Sequence, residues 1–151
     1  MDRRTDLYEA YRLLVADVYE LAGLSRRTSD DLAAEIGQTT ARWHVMSVLL
    51  DGPRTVPEIA ERLGLTRQSV QRVVDDLVAA GSVTIEDNPA HRRSHLIDLT
   101  RAGARAVDRL VERASVDRGA ELRDGGVTID ELVAARATVA KVVAALRAAD
   151  G

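Results

Sequence analysis

Four polar side chains cluster between residues 67 and 72: Arg67, Gln68, Gln71 and Arg72. A guanidinium fork matches the edge of guanine, a carboxamide matches that of adenine, and either group also holds phosphate. Thr66 and Ser69 flank the start of the same stretch. Hydroxyls there would work alongside a helix dipole that favours an anion. A second basic pair, Arg92 and Arg93, lies in the polar run EDNPAHRRSH, whose Asn88-Pro89 step signals a turn. The chemistry these residue types suit is recognition of a polyanion that carries base edges, not the making or breaking of bonds.

Such residues need a rigid carrier. Val70, Val73, Val74, Leu77 and Val78 follow at offsets of 0, 3, 4, 7 and 8, one apolar stripe of a helix whose opposite face holds Arg67, Gln68, Gln71, Arg72, Asp75 and Asp76. Thr66 is placed to cap that helix and Gly81 to end it. Upstream, Thr55-Val56-Pro57-Glu58 reads as a capping box opening a short helix that buries Ile59, Ala60 and Leu63, with Gly64 supplying the turn. Downstream, Val83-Thr84-Ile85 and Leu96-Ile97-Asp98-Leu99 suit short strands, joined as a hairpin whose long tip carries the arginines. Helix, tight turn, helix and β-ribbon in this order form a winged helix-turn-helix. Its second helix fits a DNA major groove while the ribbon tip reaches the adjacent backbone or minor groove.

The flanks are helical. Leu7, Tyr11, Leu14, Val18 and Leu21 recur at spacings of 4, 3, 4 and 3, and Leu32, Ala33 and Ile36 form a smaller apolar face. This predicts one long helix, or two with a kink between Gly23 and Ser29. After Gly37, Thr39 or Thr40 can cap a helix running through Trp43, Val45, Met46 and Val48 to Leu50, which Asp51-Gly52-Pro53 stops with a left-handed glycine cap. Thr100 can cap a helix from Arg101 to about Leu122, with Val107, Leu110, Val111 and Ala114 inward, broken by Asp124-Gly125-Gly126. A second capping box, Thr128 to Glu131, opens a last helix with Leu132, Ala135, Val139, Val142, Val143 and Leu146 on one face. The fold class is therefore mainly α with a small β-wing. Residues 1–38 form an N-terminal helical dimerisation segment, residues 39–100 the DNA-binding domain, and residues 101–151 the C-terminal helices that complete the dimerisation domain. The terminal stripes predict a homodimer, which would set two recognition helices one DNA turn, about 34 Å, apart. A monomeric helical bundle is the competing use of the same stripes.

Composition is consistent with this reading. The 151 residues suit one domain, and with no Phe and one Trp the core must be Leu, Val and Ala. The net charge of −3 puts the weight on local charge, since phosphate is met by one face. Lys141 is the one lysine and every other basic residue is Arg, a bias that GC-rich coding explains as readily as selection for phosphate binding. The absence of Cys excludes disulfides, thiolate metal sites and thiol redox sensing. No apolar run is long enough for a membrane span, and none follows Arg3 and Arg4 as in a signal peptide, so a cytoplasmic protein is expected. There is no G-x-S-x-G, P-loop or dinucleotide glycine pattern, so an enzyme is not expected, nor is a cofactor.

With that order read, the chain resembles the MarR family of bacterial transcriptional regulators over nearly its whole length. Gly37, Thr39 and Trp43 match a family pattern at the second helix. Thr55 to Leu65 is similar to the first helix of the helix-turn-helix, and Thr66 to Leu77 followed by Gly81 to the recognition helix. Asn88 to Ser94 resembles the wing tip. The resemblance implies a homodimer on a pseudo-palindromic double-stranded DNA operator, acting as a repressor released by a small aromatic or phenolic effector. It implies DNA contacts from Thr55, Thr66, Arg67, Gln68, Ser69, Gln71, Arg72, Arg92 and Arg93, with Arg93 at the minor-groove position. Two departures stand out. His91 replaces the family's Asp, which commonly braces the wing arginine, and Ile85 and Glu86 replace frequent arginines of the wing stem. The wing should bind more weakly than in relatives and, through His91, with some pH dependence.

Tyr8, Tyr11, Trp43 and His44, with Arg12 or Arg42 as the cation, are the candidate lining of an effector pocket; packing alone would also account for the rings. His44, His91 and His95 do not form a metal-ligand pattern, so no metal site is expected. The alternative functions are a winged-helix module for protein contact without DNA binding, which would want an apolar recognition face, and a small metal-responsive sensor.

Overall fold

The computed structural model describes residues 3–35 and 37–151, with side chains from Asp6 onward. Ile36, expected on the small apolar face of the first helix, lies outside the described residues. Helix α1 (Arg3–Glu35) is a single helix of 33 residues, about 50 Å long at the standard rise, and Gly23 does not interrupt it. Among the described side chains of α1, the buried ones are Ser29, Leu32 and Ala33 near its C-terminus, whereas Leu7 is 75% exposed and Leu21 67%.

Helix α2 (Thr40–Val48) is capped by Thr39, whose hydroxyl oxygen accepts from the Arg42 amide at 3.2 Å. The hydroxyl of Thr40 donates to Asp30 and so ties α2 to α1. The helix tightens into a 3-10 turn at Leu49–Asp51 rather than continuing through Leu50. Gly52 then has φ 118° and ψ 176°. That corrects the expected left-handed cap: the backbone is in the mirror-extended region open to glycine, and it releases Pro53 and Arg54 as extended chain. Arg54 uses this geometry to pair with Ile97 in an antiparallel bridge, its N–H donating to the Ile97 carbonyl at 3.0 Å and its carbonyl accepting from the Ile97 N–H at 2.8 Å.

Helix α3 (Val56–Leu63) begins with the full capping box, in which Thr55 and Glu58 satisfy each other's backbone N–H groups. Gly64, at φ 66° and ψ 33°, makes the left-handed turn into helix α4 (Arg67–Ala79), capped by Thr66. At the far end the Gly81 N–H donates to the Val78 carbonyl and the Ser82 N–H to that of Leu77, the Schellman pattern. Val70, Val74 and Leu77 are buried. Val78 is not: it is 39% exposed, because the stripe is wider than the neighbouring elements cover.

Strands β1 (Val83–Glu86) and β2 (Leu96–Leu99) pair antiparallel, with Val83 opposite Leu99 and Ile85 opposite Ile97. Helix α5 (Arg101–Asp124) follows at once. Gly103, Ala106, Val107 and Leu110 are its buried residues, whereas Val111 is exposed and Ala114 only half-buried, contrary to expectation. Helix α6 (Ile129–Asp150) opens on the second capping box and buries none of its residues. The chain divides into two compact units, Met1–Val111 and Glu112–Gly151. The core of the first joins Val45, Met46 and Leu49 to Ile59, Val70, Val74, Leu77, Val83, Ile97 and Val107. No helix among the described residues is long and apolar enough to cross a membrane.

Gly103 marks the tightest junction. The Thr100 hydroxyl donates to the Gly81 carbonyl at 2.7 Å and accepts from the Gly103 N–H at 3.0 Å. A Cβ on Gly103 would overlap the Ser82 carbonyl and lie 3.2 Å from a Leu99 methyl. Gly103→Ala should therefore destabilise the protein by about 1–3 kcal/mol, read from urea denaturation, because the obstacle is backbone.

The α3 box adds a pH signature. The Glu58 carboxyl is held below its usual range, chiefly by the Thr55 N–H; burial opposes this, and the Thr55 hydroxyl and the nearby Arg54 add to the lowering. A lowered folded pKa contributes stability above the unfolded value that is lost as pH falls through the folded one. The melting-temperature gap between wild type and Glu58→Gln should be full at pH 7 and should close as pH falls below about 4.

Candidate nucleic-acid interface

Helix α4 presents Arg67, Gln68, Gln71 and Arg72 on its exposed face because Val70, Val74 and Leu77 turn the other face inward. The Arg54–Ile97 bridge fixes the ribbon beside it, with Ile97 2% exposed. Between helix and ribbon runs an open groove of about 420 Å³. Its walls are Arg67, Gln68 and Gln71 from α4 and Arg93, Ser94 and His95 from the wing; Val56, Pro57, Ile85 and Ile97 complete the lining. Four of the nine residues expected to contact DNA thus meet in one place. Arg72 is exposed on α4 outside this lining, and Arg92 turns to a separate hollow at the wing tip with Asp87, Asn88 and Pro89.

Charge pairing separates the arginines. Arg67, Arg72, Arg92 and Arg93 have no hydrogen-bonded or acidic partner among the described residues. The two acids of α4 are engaged within the protein: Asp75 accepts from the Gln71 carboxamide at 2.9 Å, and Asp76 is 3.8 Å from Arg42 of α2. Four guanidiniums are therefore uncommitted in a chain whose net charge is −3, and two of them, Arg67 and Arg93, share the groove.

The hydroxyl candidates fare differently. Thr66 caps α4 through the Ser69 N–H at 3.1 Å and donates to the Ser69 hydroxyl, which itself donates to the Thr66 carbonyl at 2.9 Å. Both remain at the mouth of the helix, but an anion would have to exchange with these bonds. Thr55 is 9% exposed and its hydroxyl is engaged in the capping box with Glu58.

At the wing tip the Asn88 side chain accepts from the Ala90 N–H at 3.1 Å, and the His91 and Ser94 backbones close successive turns. The His91 side chain is exposed and does not brace Arg93. The imidazole that enters the groove is that of His95, with Nδ1 3.8 Å from an Asp87 carboxylate oxygen. In the sequence His95 is one of three histidines without a metal-ligand pattern, and the path of the loop reveals its place.

The candidate effector residues divide by helix. The Tyr8 and Tyr11 rings lie 6.2 Å apart on α1, and Trp43 and His44 6.3 Å apart on α2. Among the described residues no ring contact joins the two pairs. Arg12 is paired with Glu9 at 2.6 Å and Arg42 with Asp76. Burial, then Arg26, lowers the His44 pKa against the pull of Asp30, which keeps the ring neutral at pH 7. Among the described residues no group of acids and histidines could hold a metal ion.

Residues 36–94 match the model of the MarR family. An uncharacterized protein of Mycobacterium tuberculosis is 46% identical over 137 residues, which span 89% of this chain and 93% of that relative. The chain belongs to the MarR family. Its fold is that of the family's solved regulators. A mutant of MarR from E. coli complexed with operator DNA superposes with a TM-score of 0.66 at 22% identity, covering 94% of this chain and 99% of that one. Reduced AbfR bound to DNA gives a TM-score of 0.65 at 18% identity, covering 95% and 98%.

For this MarR-family chain, capping and contact residues should separate on measurement. Thr55→Ala should cost about 1 kcal/mol of stability and leave the DNA dissociation constant of the folded protein unchanged. Arg93→Ala should leave the melting temperature unchanged and lower the slope of log K against log salt by about one per subunit.

Proposed function

We propose that this protein is a homodimeric, sequence-specific DNA-binding transcriptional regulator. Helix α4 enters the major groove, Arg93 reaches the adjacent minor groove, and the phosphate strand between them runs along the groove that separates helix and wing. The observation that carries this reading is the convergence of Arg67, Gln68, Gln71 and Arg93 on one open groove, with both guanidiniums uncommitted. Arg67 and Arg72 are assigned to phosphate or guanine, Gln68 and Gln71 to base edges, Arg92 to the outer backbone, and Thr66 and Ser69 to phosphate at the α4 N-terminus. Relatives with this fold that are bound to DNA support the assignment.

The dimer is supported by apolar surface that the single chain leaves uncovered: Leu7, Val18 and Leu21 on α1, and Leu132, Val143 and Leu146 on α6. A two-fold dimer reads a pseudo-palindrome, and one that overlaps a promoter represses by occlusion. Release by an aromatic effector is supported by the half-buried Trp43 and His44 beside Arg42, whose pairing with Asp76 runs from α2 to the recognition helix. An effector acts there only by binding two arrangements of that link unequally.

The test is selection of duplexes from a random pool by the full-length protein, followed by binding measured against salt. The selected sites should be imperfect palindromes, and the complex should contain two 16.4 kDa chains. If six to ten phosphates are engaged, affinity should fall roughly 10³- to 10⁵-fold between 50 and 200 mM salt. Gln71→Ala should cost about 1–3 kcal/mol at one position of each half-site. Recovery of no sequence preference, or a stable monomer on DNA, would contradict the proposal.

A further inference from the structure

We propose that His95 is a DNA-backbone contact of the wing, and that it takes up a proton when the protein binds DNA. The inference rests on the regulator reading above and concerns a residue which that reading does not use. His95 lies in the groove wall with Arg93 and opposite Arg67, on the path assigned to a phosphate strand. Its Nδ1 faces Asp87 at 3.8 Å, which leaves Nε2 as the ring atom free to meet another anion. Asp87 is fully exposed, so water screens its pairing with His95 and a phosphate can compete with it.

The chemistry follows from the inventory of an imidazole. Phosphate oxygens accept only, and a neutral ring that donates to them from Nε2 turns a bare Nδ1 lone pair toward the Asp87 carboxylate. Donation from Nε2 to phosphate while Nδ1–H faces Asp87 requires the cation. Histidine is the side chain that changes charge at roughly pH 5 to 8. Arg67 and Arg93 share the groove with the ring, Asp87 faces it, and Arg92 shares the wing-tip hollow with Asp87. Glu86 belongs to the opposite face of β1 from Ile85, which lines the groove. A phosphate strand laid in the groove adds negative charge beside Arg67, Arg93 and the ring, so binding favours protonated His95. Each His95 that takes up a proton adds at most about tenfold in affinity per pH unit as pH falls.

The experiment measures dissociation constants of wild type, His95→Gln, His91→Gln and Asp87→Asn on one selected duplex from pH 8 to pH 5.5, at constant ionic strength. All three positions are exposed, and circular dichroism at each pH confirms that the variants are folded. Wild type and His91→Gln should gain affinity several-fold more than His95→Gln across the range. Asp87→Asn should bind more tightly than wild type at pH 7, since it removes an anion that competes with phosphate. Superimposable pH profiles for wild type and His95→Gln, with salt-dependent binding intact, would overturn the His95 inference alone. Absence of salt-dependent binding by wild type at every pH would overturn the regulator reading and this inference with it.

Discussion

Two backbone hydrogen bonds between Arg54 and Ile97 hold the wing to the helical core, and the geometry of the groove between α4 and the wing depends on them. A two-stranded ribbon is marginal by itself. Here β2 gains a second partner from the extended chain that Gly52 releases after α2, and Ile97 is buried in the core. The ribbon's other end is fastened where Thr100 meets Gly81 and Gly103 passes against Ser82. With both ends fixed, the separation between α4 and the wing is a property of the core rather than of the loop.

That separation is what gives the arginines their use. In a protein of net charge −3, attraction to a polyanion requires that acids be held away from, or engaged beside, the basic face. Asp75 and Asp76 are spent on Gln71 and Arg42, while Arg67, Arg72, Arg92 and Arg93 keep their donors. The same arrangement couples the reader to the rest of its unit, because Arg42 belongs to the helix that Thr40 ties to α1.

Much of this was legible in the chain. Both capping boxes, the Thr66 cap, the Gly64 and Gly81 turns and the two strands are local signals, in which a few consecutive residues decide the geometry. What escaped was non-local. Nothing around Arg54 marks it as the partner of a strand more than forty residues later. Gly103 reads as a weak spot in a helix until Ser82 is seen against it. Periodicity identified the apolar faces but not what covers them, hence the exposure of Val78 and Val111. Thr55 looked available because it is polar, yet the cap it forms is the reason it is buried. His95 and His91 differ only through the turns built on Asn88, which send one ring into the groove and leave the other outside it.

In the proposed complex, helix α4 and the wing grip one continuous phosphate strand from its two sides. Ethylation interference on a selected duplex tests it at single-phosphate resolution. One block of essential phosphates is expected per half-site, running from the edge of the major groove into the neighbouring minor groove. Arg67→Ala should erase interference at the major-groove end of that block, and Arg93→Ala at the minor-groove end. Interference scattered over both strands, or a pattern unchanged in the two variants, would contradict it.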